Sequence, residues 1–135
     1  ALSLLAKHPG IRDHFIIRTQ YKYTYKHDPH LARTEFYQNI RDNPYTLCVR
    51  GGGNFSKRLY EVMAMGRIPV LLDTDCILPF DGQGIDWTKQ AVYVKKNDLK
   101  KLPHILLNYH VNLHQDDFKQ RQWENYRIWH SYLTL

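Results

Sequence analysis

Residues 68–72, Ile-Pro-Val-Leu-Leu, form an almost purely apolar run, and no other stretch of the chain constrains the fold as much. A strand with one face in water alternates polar and apolar residues, whereas a strand without alternation is covered on both faces, as in the centre of a parallel sheet. Parallel neighbours need a crossover, and the residues before the run supply one. A short apolar strand at residues 45–49 leads into Gly51-Gly52-Gly53, then into apolar positions 59, 60, 62, 63 and 65 at helical spacing, with Gly66 placed as a C-terminal cap. The unit reads as strand, glycine turn, helix, strand.

The rest of the pattern extends this unit. Residues 1–8 read as the tail of a helix stopped at Pro9-Gly10, and their uncapped start leads us to expect a preceding segment. His14 to Thr19, with Phe15-Ile16-Ile17, predicts a short buried strand, and Tyr21 to His30 a loop in which Tyr21, Tyr23 and Tyr25 are read as covering apolar surface in preference to stacking on a sugar or base. Leu31 to Arg41 predicts a helix closed by Asp42-Asn43-Pro44. A fourth strand follows at residues 91–94, then helices at 98–110 and 114–135. The order predicts one α/β domain over residues 1–135, a Rossmann-like doubly wound parallel sheet with right-handed crossovers and a C-terminal helix over 115–135.

Bulk properties narrow the function. A chain of 135 residues with 43% hydrophobic and 13% aromatic side chains can build a real core. There is no run of about 18 apolar residues, so no membrane-spanning helix is predicted. The formal charge of +6 favours anionic partners. No nucleic-acid-binding signature accompanies it, and Lys95, Lys96, Lys100 and Lys101 read as a solvated helix edge. Cys48 and Cys76 lie in or beside apolar strand patterns and read as small buried residues.

In open α/β sheets ligands sit beyond the carboxyl ends of the strands, where Arg50 to Ser56 falls. Glycines at 51, 52 and 53 permit positive φ or close backbone approach, and the amides of Phe55, Ser56 and Lys57 at a helix start can face phosphate oxygens. Ser56 is a candidate N-cap, and Arg50 and Arg58 bracket the turn with guanidinium forks suited to a diphosphate. Glu61, three residues after Arg58 on the same helix face, is a candidate acceptor for a ribose diol, or the partner of Arg58 in an i, i+3 ion pair. A P-loop is not matched: Ser56-Lys57-Arg58 stands where Gly-Lys-Ser/Thr would close it. Asp73-Thr74-Asp75 after an apolar strand offers a metal site as the weaker alternative.

Arg58-Leu59-Tyr60-Glu61, Gly66-Arg67-Ile68-Pro69-Val70, Leu78-Pro79-Phe80 and Ile85-Asp86-Trp87, in this order, resemble the donor-binding half of exostosin-family glycosyltransferases. The resemblance covers roughly residues 45–130. It implies the C-terminal domain of a two-domain GT-B enzyme, with the N-terminal acceptor domain supplied by another segment or chain. It further implies transfer of a sugar, with inversion, from a nucleotide diphosphate donor, expected to be a UDP-sugar, to a carbohydrate hydroxyl. Arg50, Gly51, Gly52, Gly53, Asn54, Ser56, Lys57 and Arg58 would hold the diphosphate and Glu61 the ribose. Asp73 and Asp75 sit in the context of a metal-independent fold, so no metal or other cofactor is expected. Asp86 and Trp87 read as a cap and a buried anchor. No catalytic base is nominated. The expected compartment is cytoplasmic, or the Golgi lumen for a larger anchored protein. A non-catalytic nucleotide-binding module and a basic nucleic-acid binder are the competing readings.

Overall fold

The computed structural model describes residues 1–16 and 29–134. Of the loop expected at Tyr21 to His30, residues 21–28 with its tyrosines lie outside the described residues, whereas Pro29 and His30 already belong to a helix. The second half of the strand expected at His14 to Thr19 also lies outside them, and His14, Phe15 and Ile16 themselves are in no strand. The helices are α1 (Leu2–Ala6), α2 (Pro29–Asp42), α3 (Lys57–Ala64), α4 (Trp87–Gln90), α5 (Leu102–Asn112) and α6 (Gln115–Ile128). Three strands, β1 (Tyr45–Cys48), β2 (Ile68–Asp73) and β3 (Val92–Lys95), form one parallel sheet in the order β1-β2-β3. Tyr45 is in register with Ile68, and Val70 with Val92.

The central position of β2 follows from its composition, since every residue from Ile68 to Leu72 is buried. Ile68, Val70 and Leu72 point to one face, where they meet Val92 and Val94 of β3, Leu5 of α1, and Leu102 and Leu106 of α5. Leu71 points to the other face, against Leu59, Val62 and Met63 of α3, with Ile40, Cys48, Ile85, Trp87 and Ala91 around it. Period-two alternation thus feeds two cores from one sheet, the doubly wound α/β arrangement. Truncating Leu71 or Leu72 to Ala would cost about 2–5 kcal/mol, as buried leucines do.

The α3 to β2 connection is set by Gly66. Its φ is +62°, its N–H donates to Met63 O at 3.0 Å, and the Arg67 N–H donates to Val62 O at 3.0 Å. These paired bonds make a Schellman cap, which requires a left-handed residue just past the helix.

Two elements depart from expectation for local reasons. The segment predicted as one helix from residue 98 winds as a 3-10 turn over Lys96–Lys101 and becomes α-helical only at Leu102. Pro103 sits in the first turn of α5, where its missing N–H costs nothing, whereas inside a longer helix it would break the ladder. The terminal helix expected to residue 135 ends as α6 at Ile128 and loosens into a π turn over Trp129–Leu133.

The short α4 was not predicted as a helix, but both of its sequence cues take the expected roles. The Thr88 N–H donates to Asp86 Oδ1 at 3.1 Å, so Asp86 caps it. Trp87 is 1% exposed, and its indole N–H donates to Pro79 O at 3.0 Å. No described helix is long and apolar enough to cross a membrane.

Candidate functional site

β1 ends at Cys48, and the chain leaves the carboxyl edge of the sheet through Val49 and Arg50 into the glycine turn before α3 begins at Lys57. The Gly51 N–H donates to Phe55 O at 3.1 Å, which closes the turn and removes one amide from any cradle. Ile77 N–H donates to Asn54 O at 2.8 Å, tying the turn to the loop after β2. The amides of Phe55, Ser56 and Lys57 make no hydrogen bond to an acceptor among the described residues, as a helix start dictates.

Of the two uses expected for the glycines the structure leaves one, and the expected Ser56 side-chain cap is not made. None of Gly51, Gly52 and Gly53 is left-handed, the positive-φ glycines being Gly66, Gly82 and Gly84. Glycine here gives open space, since a Cβ on Gly52 would meet nothing within 4 Å. Nor does Ser56 cap α3 through its side chain. Its backbone is extended as an N-cap should be, with φ −114° and ψ 114°, but its side chain is buried and makes no capping hydrogen bond. The helix-start amides are left open.

The cations around the turn are exposed. Arg50 and Lys57 reach solvent, and no ion pair of theirs is formed among the described residues. The Arg58 guanidinium lies 4.9 Å from the centre of the Phe36 ring on α2, a cation–π contact that holds the long side chain without neutralising it. Among the described residues Arg58 and Glu61 form no ion pair within 4 Å, so the i, i+3 bridge is not made. Glu61 is half-buried, and burial raises its carboxyl from the usual range, opposed by the fields of Arg58, Lys57 and Arg33. Beneath the turn, burial pushes the Cys48 thiol up to about 12, which leaves it unreactive. Cys76 is only half-buried, less than expected, and both cysteines are free.

The carboxylate of Asp73, one of the alternative metal pair, is engaged within the fold. Asp73 Oδ1 accepts from the Asp75 N–H at 3.1 Å, and Asp73 Oδ2 accepts from the Tyr93 hydroxyl. Both oxygens therefore shape the end of β2. Asp75 is left-handed with φ 65°, and Phe80 in the same loop has φ 52°. Among the described residues no group of three histidine, cysteine or acidic side chains is placed to hold a metal.

A cavity of about 1180 Å³ runs along the outer edge of β1 between α1 and α2. Val49 and Arg58 line it, but Gly51, Gly52 and Gly53 do not, so the turn stands on the exposed rim of this groove. Phe36 and Arg33 on α2 were missed by sequence reasoning. They lie three residues apart, and only the packing of α2 beside α3 gives that spacing meaning.

The turn thus combines open helix-start amides, an unobstructed glycine and guanidiniums without an ion pair among the described residues, groups whose chemistry can receive an anion. The Exostosin GT47 domain matches residues 3–109 of this chain. A probable glucuronosyltransferase of Oryza sativa subsp. japonica is 35% identical over 71 residues, 53% of this chain and 17% of that protein. A probable beta-1,4-xylosyltransferase of Arabidopsis thaliana is 34% identical over 73 residues, 54% of this chain and 18% of that protein. A probable glucuronosyltransferase of Physcomitrium patens is 32% identical over 95 residues, 56% of this chain and 21% of that protein. The chain thus spans about a fifth of the length of the curated relatives it matches. With a family match over most of its length, on a parallel α/β sheet carrying the motifs in order, the chain belongs to the Exostosin GT47 family.

Proposed function

We propose that this chain is the donor-binding part of a glycosyltransferase that moves a sugar from a nucleotide diphosphate, UDP in our reading, to a carbohydrate hydroxyl with inversion. The acceptor oxygen attacks the anomeric carbon while the bond from that carbon to the β-phosphate oxygen breaks, and UDP departs with the bonding pair. Negative charge grows on that oxygen, so donors aimed at it stabilise the transition state more than the ground state. Arg58 and Arg50 supply the cations, and the amides from Gly52 to Lys57 supply dipoles. Glu61 accepts from the ribose diol. With Asp73 engaged by Tyr93 and the Asp75 amide, the arginines and the α3 dipole take the place of a divalent metal. The proton of the acceptor hydroxyl goes to a base supplied by the N-terminal domain or a partner chain.

The observation that carries this reading is the open surface over Gly52 beside unpartnered amides at the start of α3. Calorimetric titration with UDP in the presence of EDTA tests it. Arg58→Ala is expected to weaken binding at least about tenfold, the effect of losing a charge-assisted contact of about 1.4 kcal/mol or more. Equal affinity in wild type and variant removes the assignment, and binding only with added Mg²⁺ or Mn²⁺ removes its metal-independent form.

A further inference from the structure

The outer face of α6 carries side chains that neither the fold nor the donor site uses. Trp123 is 58% and Tyr126 36% exposed, and their rings stack with centroids 5.5 Å apart and planes 28° apart. Tyr126 continues the ladder to Trp129, with centroids 6.1 Å apart. Positions 123, 126, 127 and 130 share one side of a helix. Tyr126, Arg127, His130 and Ser131 accordingly line one shallow cleft of about 240 Å³ beside the stacked pair.

This face is held rigidly. Asn125, fully buried on the opposite side of α6, donates from Nδ2 to Arg67 O and to Gln90 O, each at 3.0 Å. Gly66 lets the backbone of α6 come close, since a Cβ there would stand 3.1 Å from Gln122 O. The rings are therefore presented by a fixed support, which lowers the entropy lost on binding.

We propose that this face binds a carbohydrate chain bearing carboxylates, with one sugar ring on Trp123 and the next in the cleft beside Arg127. A pyranose presents a face of C–H groups and a rim of hydroxyls, so it fits a flat aromatic surface flanked by polar groups. Arg127 supplies a bidentate donor for a carboxylate, while His130 and Ser131 serve ring hydroxyls. The cleft is smaller than the roughly 300–1,000 Å³ typical of whole ligands and suits one ring of a chain that runs on. A protein partner fits less well. A stable interface needs about 20–30 residues a side around a core poor in charge, whereas the large exposed hydrophobic residues of α6 are these two rings, beside Arg127 and His130.

That the ligand is a carbohydrate rests on the proposed transfer function, but the aromatic surface does not. A chain held there would raise the local concentration of acceptor ends. The test uses the full chain, titrated with xylohexaose and with a xylo-oligosaccharide carrying one glucuronate, and read by tryptophan fluorescence. Trp87 is buried and Trp129 half-buried, so Trp123 dominates the change. Trp123→Ala is expected to weaken both ligands about tenfold by calorimetry, and Arg127→Ala only the acidic one. UDP affinity, measured on the same preparations, stays unchanged. Equal oligosaccharide affinity in Trp123→Ala, or no binding by the wild-type chain, overturns the proposal. Self-association that depends on Trp123 without oligosaccharide binding also overturns it, in favour of a second copy. Absent UDP binding alongside Trp123-dependent oligosaccharide binding upholds this site and removes the donor reading instead.

Discussion

At Gly52 neither the backbone nor the neighbouring atoms call for glycine: its φ is not left-handed, and an added Cβ would touch nothing. A methyl group there should leave the fold intact, or stabilise it by about 0.4–1 kcal/mol through the unfolded chain. The same methyl would stand where a phosphate oxygen must approach the amides. Gly52→Ala is therefore expected to keep or raise the urea midpoint while weakening UDP at least about tenfold. A variant that binds UDP like wild type would show that the ligand does not pass over this residue. Residue identities located the glycine turn and the start of α3 in advance, because glycines between an apolar strand and a helical pattern mark such a connection. Their conformations were less legible. That the glycines would provide room without a left-handed turn, and that Ser56 would bury its side chain, depends on the path between β1 and α3. Arg33 and Phe36 gave no sign of themselves, since a residue on one helix acquires a partner on another only through packing.

At the scale of elements, the apolar run of β2 and the five apolar positions of α3 left little freedom, and both elements formed within a residue or two of their expected bounds. What could not be read was the behaviour of ends, such as the 3-10 entry to α5 and the π turn after α6, where competing hydrogen-bond patterns differ by little free energy. Gly66 is the exception, an end fixed by two independent demands. Its φ of +62° is costly for any side chain, and a Cβ would press on the carbonyl of Gln122 at 3.1 Å, a backbone atom that cannot swing aside. Gly66→Ala is expected to lower stability by about 1–2 kcal/mol from the left-handed conformation alone, and more if α6 must shift. Urea titration of wild type, Gly66→Ala and Gly52→Ala separates the cases, since only the first substitution should lower the midpoint. A loss below about 0.5 kcal/mol would mean that α6 adjusts freely, and the rigid support claimed for Trp123 would fall with it.

For the whole molecule the asymmetry of the sheet matters most. β2 is hydrogen-bonded on both sides and buried on both faces, whereas β1, which launches the glycine turn, pairs with β2 alone among the described residues and borders the large groove on its other side. α1, with Leu5 as its one buried side chain, adds little cover. Stability should therefore fall from β2 outward, with local opening concentrated at α1 and β1 and global unfolding required to expose the centre. Such a gradient suits the proposed donor site, because the glycine turn hangs from an edge strand while α6 is tied to the core through Asn125. Native-state hydrogen exchange followed by mass spectrometry is expected to show residues 69–72 exchanging only at the rate of global unfolding. Peptides from residues 2–6 and 46–49 should exchange faster by several orders of magnitude, and UDP should slow the 46–58 region without changing residues 120–128. Uniform protection across β1 and β2 would mean that another segment completes the sheet at the β1 edge, and the groove would then be part of a core instead of an approach to the donor site.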